Sequence, residues 1–558
     1  MFRILRFFPL LAIVVLLGPV VAGLVATLLP ALGYLPVLGG DTISLAPWRK
    51  LFATPGLGES VRITLTSGFL ATSLAFGIVV GFCSVFHNSR LFRIAQPLLS
   101  PLLATPHVAV ALGLSFLIAP SGWLVRLISP WLTGYVRPPD IAIVHDPWGL
   151  SFVLGLLLKE VPYLMLMTMA ALGQVKSREI LSVARSLGYS PSSAWLKTVL
   201  PQIYSLIRLP VYAVLAFSLS VVDVAVILAP TTPAPFSIVI FRMFMDRDLS
   251  LIFPASAGAC LQLAIVVLGI CVWRGGESVV SRLTRSWLTT GCRGTAPQRA
   301  DVLWGAVLCL LVGLSFLGTV AMAIWSFAET WFYPSALPAS WSFAHWTRHL
   351  DDLVFPGEVT LVTGLCTSVI AMILVLGCLQ NERVNGIGAS AKVLWLVYTP
   401  LLFPQIAFLF GVQVILVWFR LDGTWSALVL CHLLFVFPYV FLSLADPWRS
   451  FDLRYRYSAL ALARSPIRSF LQVELPLMLR PMTFAFAIGF AVSTGQYLST
   501  IFAAGGRFTT LAVEAVTLSS GSDRRVIGIY ALAQTALPLL VYAMAIIIPA
   551  WKQPDRRL

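Results

Sequence analysis

Long apolar runs separated by short polar segments extend over the whole chain. About 20 consecutive apolar residues let a helix cross the hydrocarbon layer of a membrane. Because the runs are continuous rather than alternating in polarity, they favour helices over the strands of a closed barrel. The pattern therefore predicts an all-α polytopic membrane protein with about 12 transmembrane helices. We place these spans at residues 5–29, 62–86, 95–118, 148–172, 203–229, 254–273, 302–328, 357–379, 393–418, 425–444, 481–503 and 526–550.

Two long polar segments interrupt this pattern. Loop 1, residues 174–201, reads QVKSREILSVARSLGYSPSSAWLKTVLP, and loop 2, residues 449–476, reads RSFDLRYRYSALALARSPIRSFLQVELP. Both are basic and helix-prone, and both end in Leu-Pro before a new apolar run. Gly188 and Pro191 in loop 1, and Pro466 in loop 2, should break each loop into two short helices. Alignment on the shared Leu-Pro pairs Ala184 with Ala459, Arg185 with Leu460, Leu187 with Leu462, and Gly188 with Ala463.

The two halves of the chain share one pattern of spans and loops. With six spans in each half, both copies enter the membrane in the same orientation, which predicts two parallel six-helix repeats with a path between them. The recurring residues are Gly68 and Gly364, Gly81 and Gly377, Pro106 and Pro404, Gly113 and Gly411, and Pro162-Tyr163 and Pro438-Tyr439.

The duplicated pattern suggests a division of the chain into six parts. Residues 1–57 form an N-terminal helix and outer loop, 58–273 the first membrane domain, 274–301 a basic cytoplasmic linker, 302–356 a seventh helix with an outer loop, 357–550 the second membrane domain, and 551–558 a cytoplasmic tail.

Composition and charge agree with a membrane protein. The chain is 58% hydrophobic and 11% charged, its mean hydropathy is +0.90, and soluble domains carry about 25% charged residues. The net charge of +15 reflects cytoplasmic loops rather than nucleic-acid binding, since Lys and Arg collect on the cytoplasmic side. More than twice as many Lys and Arg residues lie on the side of both loops and both termini as on the other. We therefore expect both termini to be cytoplasmic.

Four polar residues inside the predicted spans are candidates for a translocation path, because such residues are costly in a membrane. Lys159 and Glu160 precede Pro162 in the fourth span, Asp223 lies in the outer part of the fifth, and Gln496 aligns with Asp223. The alternative is a structural ion pair, or a contact with backbone groups freed near the proline. The eight cysteines show no ligand-like spacing, so we expect free thiols and no metal site.

Both loops resemble the cytoplasmic loop of binding-protein-dependent ABC importer permeases. That family's pattern is Glu-Ala-Ala, three residues, Gly, nine residues, Ile, one residue and Leu-Pro. The acidic first residue is missing from both copies, and the glycine is missing from the second. Loop 1 matches with Ser182-Val183-Ala184, Gly188, Thr198 and Leu200-Pro201, and loop 2 with Tyr457-Ser458-Ala459, Ala463, Val473 and Leu475-Pro476.

The resemblance implies a type I importer-like fold in a bacterial inner membrane, most similar to fused permeases of the iron(III)- and thiamine-type importers. It also implies two copies of a cytoplasmic ATPase inside and one solute-binding protein outside. The small residues of each loop would let a short helix approach the ATPase closely. The residues expected to couple to the ATPase are Ser182, Ala184, Arg185, Leu187, Gly188, Leu200 and Pro201 in loop 1, and Tyr457, Ala459, Leu462, Ala463, Leu475 and Pro476 in loop 2. Segments 230–253 and 504–525 are expected to help receive the binding protein.

No phosphate-binding loop, HExxH, GxSxG or catalytic carboxylate cluster occurs in the chain. We therefore expect a transporter subunit without catalytic residues or a cofactor of its own, with ATP and magnesium held by the partner ATPase. His107 and His432 lie in apolar runs and are expected to be packed or pore-lining. The main alternative is a twelve-helix secondary transporter driven by an ion gradient. Thiamine, iron(III), polyamines and sulfate-like anions all remain open as substrates.

Overall fold

The computed structural model describes residues 5–294, 299–387, 391–463, 465–521 and 523–552, with the side chains of 299–301, 391, 392, 463 and 552 left out. Within these residues, ten helices are long and apolar enough to cross a membrane. Two further pairs of helices, bent by 87° and 73° at their junctions, raise the number to as many as 12. The predicted all-helical membrane class is confirmed.

The first half of the chain contains thirteen α-helices, one turn of π-helix and the two 3-10 turns Pro36–Leu38 and Leu249–Leu251 within the described residues. The α-helices and the π turn are α1 (Phe7–Ala31), α2 (Ala46–Phe52), α3 (Leu57–Phe86), α4 (Arg90–Ala104), α5 (His107–Ile118), α6 (Trp123–Ile128), α7 (Leu150–Gly173), α8 (Ser177–Ser186), α9 (Pro191–Ala194), the π turn Trp195–Val199, α10 (Leu200–Ser220), α11 (Asp223–Leu228), α12 (Phe236–Phe244) and α13 (Ile252–Thr289).

The second half has a similar order of elements, with a two-stranded hairpin after its first helix. Its elements are α14 (Arg299–Phe327), β1 (Ala328–Thr330), β2 (Ser340–Trp341), α15 (Ala344–Arg348), α16 (Leu350–Asn385), α17 (Ala391–Leu402), α18 (Gln405–Trp418), α19 (Trp425–Arg449), α20 (Leu453–Ala463), α21 (Pro466–Ser469), the π turn Phe470–Glu474, α22 (Leu475–Leu477), α23 (Leu479–Thr494), α24 (Leu498–Ala504), α25 (Leu511–Ser519) and α26 (Arg524–Lys552). The strands are antiparallel, with Ala328 opposite Trp341 and Thr330 opposite Ser340.

Four predicted spans are broken rather than continuous, at matched places in the two halves. The span 95–118 divides into α4 and α5 before Pro106, and 393–418 into α17 and α18 before Pro404. Proline offers no N–H and disfavours helical geometry in the residue before it, so the helix stops there. The spans 203–229 and 481–503 are likewise interrupted, before Asp223 and after Thr494.

Each half packs its first helix against the other half. Helix α1 lies on α18, where a Cβ on Gly411 would collide with the carbonyl of Gly23, and the N–H of Gly411 donates to Thr27 Oγ1 at 3.1 Å. Helix α14 lies on α5, where a Cβ on Gly113 would sit 2.9 Å from the carbonyl carbon of Gly318. Small residues allow this close approach of membrane helices. The exchange joins the two halves into one body.

Helix α13 is longer than a membrane requires. Its 38 residues extend roughly 57 Å at about 1.5 Å per residue, against a hydrocarbon layer of about 30 Å. The predicted linker 274–301 therefore begins as four further turns of this helix, which end at Thr289. Residues 295–298 of that linker lie outside the described part of the chain, as do residues 553–558 of the predicted tail.

Candidate functional site

Loops 1 and 2 fold into one repeated structure. Each has a first helix (α8 or α20), a serine that caps a second helix, and one turn of π-helix that leads into the Leu-Pro. The caps are Ser190, which accepts from the N–H of Ser193, and Ser465, which accepts from the N–H of Arg468, each at 3.4 Å. The π turns occupy matched positions. Single π turns are rare and occur often at functional sites.

The two loops lie on the same side of the membrane, which we call the loop side. Gln174 at the start of loop 1 donates to Asp446, just before loop 2, at 3.0 Å. Arg178 of α8 also donates to Asn88 at 3.3 Å, which places the turn between α3 and α4 on this side.

The matched loop residues keep matched exposures. Leu187 and Leu462 follow or end the first helix of their loops and are 58% and 87% exposed. Ala184 and Ala459 are only 5% and 6% exposed, and Ala184 also lines a groove beside loop 1. That the small residues let the loop helix approach the ATPase stays a prediction. The side chain of Ala463 lies outside the described residues.

The remaining loop residues divide into an exposed and a half-buried set. Gly188 ends α8 with a φ of +87°, a left-handed geometry that glycine adopts without strain. Ser182 is exposed and donates to the carbonyl of Glu179 at 2.7 Å. Exposed side chains also belong to Arg185, Pro201, Tyr457 and Pro476, and half-buried ones to Leu200 and Leu475.

Loop 2 is held by a buried ion-pair network that the sequence analysis missed. Glu474, whose side chain is 2% exposed, accepts from Arg383 of α16 at 2.8 Å and lies 3.6 Å from Arg456. Arg383 also donates to the carbonyl of Trp448 and stacks 4.5 Å from the centroid of its ring. Arg383 and Glu474 are far apart in the sequence. The one sequence signal for this network was a charged residue, Arg383, just after the end of a predicted span.

No such buried ion pair occurs at loop 1 among the described residues, because the matched positions hold His87 and Val199. Burial first, and then the charges of Arg178 and Arg185, lower the pKa of His87, so its ring is neutral at neutral pH. The linker supports loop 1 instead. Lys197 donates to the carbonyl of Thr290, and the N–H of Ser190 to the carbonyl of Arg293, each at 2.9 Å.

The path candidates Lys159 and Glu160 have different surroundings. Lys159 donates to the carbonyls of Leu102, Leu103 and Thr105, at 3.0, 3.2 and 2.7 Å. It thus satisfies the carbonyls freed by the break between α4 and α5, which favours the structural interpretation. Glu160 is 5% exposed and makes no hydrogen bond within the described residues. Tyr163 and Tyr439, the matched tyrosines of the two halves, both lie within electrostatic reach of it.

Asp223 and Gln496 both lie at the break after the fifth span of their half. Asp223 begins α11, and the neighbour of Gln496, Tyr497, lies within electrostatic reach of it. Gln496 itself is satisfied locally, since it donates to the carbonyl of Val492 and accepts from Ser499. Within the described residues no hydrogen bond or ion pair joins Asp223 and Gln496 to Lys159 and Glu160, so the four candidates form two separate groups.

The buried histidines have packing partners. His432 pairs with Ser493 at 2.9 Å and Thr500 at 3.0 Å, and His107 lies against Phe217 with ring centroids 4.8 Å apart. No group of three or more metal-ligating side chains occurs in the described ranges. These surroundings favour packing over catalysis for both histidines.

The segments 230–253 and 504–525 each contain a nine-residue helix on the far side, opposite the loops. Threonines at matched positions anchor them: Phe236 of α12 donates to Thr64 at 2.8 Å, and Leu511 of α25 donates to Thr360 at 2.9 Å. The duplication predicted for the chain thus extends to this surface.

Comparison with known proteins fixes the family. No protein-family model matches the chain. The chain is 30% identical over 545 residues to the "Inner membrane ABC transporter permease protein YnjC" of Escherichia coli (strain K12), covering 97% of each sequence. The chain belongs to the ABC transporter permeases. The permease is therefore a multi-pass inner-membrane subunit that works with ATPase partners and is not itself the ATPase. The alternative of an ion-driven secondary transporter is excluded.

Proposed function

We propose that this permease forms the translocation path of an importer, in which two copies of one ATPase subunit bind to loops 1 and 2. The proposal depends on the matched pair Leu187 and Leu462, which are both exposed on the loop side. Each leucine lies at the end of the first helix of its loop and is followed by the same capped short helix and π turn. Apolar side chains exposed on a basic, water-facing loop are typical of a partner surface. A duplicated surface suits two copies of one partner.

Import needs a solute delivered from outside, so we assign the far side to a solute-binding protein. The support is the pair of helices α12 and α25, which are of equal length and anchored by matched threonines. This arrangement requires both termini on the cytoplasmic side, as the distribution of Lys and Arg favours. It also fits the fused type of permease that serves iron(III) and thiamine importers.

The translocation path is proposed to run between the two halves, past Glu160 and Asp223. The buried carboxylate of Glu160 accepts no hydrogen bond from any residue that the structure describes, and it lies within electrostatic reach of one tyrosine from each half. Asp223 starts α11 at an interruption of the membrane helix, and broken helices commonly form transport sites. Lys159 is left out of the path because three backbone carbonyls already occupy it.

Reconstituted vesicles test this function. The complex of permease and ATPase is placed in liposomes with its loop side outward, and the binding protein with its solute is enclosed. Transport out of the lumen should require external ATP and the enclosed binding protein, and ion gradients should have no effect. ATP-dependent transport in the opposite direction, without the binding protein, would contradict import while leaving the ABC family intact.

A further inference from the structure

The linker between the two halves forms one wall of a groove beside loop 1. Residues 290–294, which follow α13, pack on loop 1 through the two hydrogen bonds of Lys197 and Ser190 described above. Lys197 also lies 4.7 Å from the ring centroid of Trp287 on α13. Gly188 lies against Arg293, and a Cβ on Gly188 would be 3.3 Å from Arg293 Cδ. The linker is therefore part of the loop 1 surface, and not simply a tether.

The groove has a volume of about 450 Å³. Its apolar lining comes from Ile180, Val183 and Leu187 of loop 1 and from Leu288 of the linker. Val183 and Leu187 are 60% and 58% exposed, so a large apolar area faces water in the isolated permease. An apolar concavity of this size next to a partner-binding element is a typical anchor pocket for a buried side chain.

Basic residues lie in the groove and on the elements that form it. Lys197 lines the groove, and Arg293 lies against loop 1. Arg185 on α8 and Arg285 on α13 are exposed on helices that contribute to the lining. None of the three arginines takes part in an ion pair among the described residues. Glu179 is the one acidic residue in its lining. The complementary partner surface is therefore an apolar side chain surrounded by acidic groups.

We propose that the ATPase subunit at loop 1 docks on the linker as well as on the loop, inserting an apolar side chain between Val183 and Leu288. The inference rests on the proposed function, since it takes the occupant of the groove to be the same ATPase that grips loop 1. On this proposal the two ATPase subunits occupy sites of different composition. The position at loop 1 includes linker residues, whereas loop 2 is braced from within by Arg383 and Glu474.

Native Cys292 provides the test, because it is an exposed free cysteine in the linker. A membrane-impermeant maleimide should label it in the isolated permease, and Cys292→Ser should remove that labelling. The other exposed cysteines among the described residues, Cys271, Cys309 and Cys366, lie on membrane-spanning helices. A second probe, Leu462→Cys in the Cys292→Ser background, reports docking at loop 2.

In the assembled complex, the ATPase should slow labelling of Cys292 by at least about tenfold, the change expected for a thiol inside an interface. Protection of Leu462→Cys without protection of Cys292 would overturn the linker inference and leave the proposed function standing. Protection of neither probe would overturn both.

A substitution inside the groove gives a second, independent measurement. Leu288→Asp puts an acidic group where an apolar anchor should sit, and it should weaken ATPase binding at loop 1 by about tenfold or more. Leu283→Asp is the matched control, since Leu283 lies on the same helix, is 72% exposed and does not line the groove. Equal binding by the two variants would contradict the inference.

Discussion

Replacing Arg383 by Met should loosen loop 2 while leaving loop 1 unchanged. In the wild type, Arg383 neutralises the buried carboxylate of Glu474. After the substitution, that carboxylate keeps only the more distant Arg456, at 3.6 Å. The carbonyl of Trp448 also loses its guanidinium donor.

The size of the effect follows from these contacts. Removing one partner of a buried ion pair costs about 3–5 kcal/mol, because the other charge stays buried. The cation–π contact with Trp448, at 4.5 Å, contributes about 1 kcal/mol more. Since Arg456 offsets part of the loss, we expect about 3 kcal/mol, which raises the opening equilibrium of loop 2 more than about 100-fold.

Hydrogen–deuterium exchange measures this opening segment by segment. Amides in α20, α21 and the following π turn should exchange faster by about that factor, and amides in α8 and α9 should serve as an internal control. Equal acceleration in both loops would indicate global destabilisation, and unchanged exchange in loop 2 would refute the role assigned to Arg383.

A double variant distinguishes the effect of the unpaired Glu474 carboxylate from the loss of the other contacts of Arg383. Arg383→His with Glu474→Val installs the residues that loop 1 carries at the same positions, His87 and Val199. Because no carboxylate is then left buried, much of the lost protection should return. Protection no better than in Arg383→Met would show that the unpaired buried carboxylate of Glu474 is not the cause of the loss.

Three further substitutions test the packing and the path. Gly411→Val should lower the yield of folded permease, because the valine side chain would meet the backbone of Gly23. The control Gly18→Ala should be tolerated, since nothing lies within 4 Å of a Cβ at that position. The measurement is the yield of detergent-solubilised permease that elutes as a single species in gel filtration. Lys159→Met should lower the unfolding temperature by leaving three carbonyls without a donor, at about 1–3 kcal/mol each, with transport per folded molecule kept. Asp223→Asn should slow uptake without changing the unfolding temperature, and transport equal to wild type would remove Asp223 from the path.

The sequence predicted what depends on local pattern. Apolar runs gave the membrane helices, and the repeated Leu-Pro loops gave the paired surfaces with Leu187 and Leu462 at matched positions. Spans 95–118 and 393–418 were predicted to be continuous, whereas the structure breaks them before the prolines at 106 and 404. The bend of 87° at the second site depends on how the following helix packs.

What the sequence could not supply depends on contacts between distant residues. The glycines at 113 and 411 recur in the two halves, yet only the structure shows that each receives the first helix of the other half. Arg383 and its partner Glu474 lie 91 residues apart in the sequence. The burial of Ala184, which is 5% exposed, likewise depends on how loop 1 packs and could not be predicted from its sequence.

The most direct test of the account is the native mass of the purified complex of permease and ATPase. We predict two ATPase subunits on each wild-type permease chain, and the loss of one subunit in either Leu187→Asp or Leu462→Asp. Ile387→Asp, a change at a 55% exposed residue on the loop side outside both loops, should keep two subunits. A wild-type complex with a single ATPase subunit, or variants that both retain two, would contradict the claim that the motor grips two matched loops.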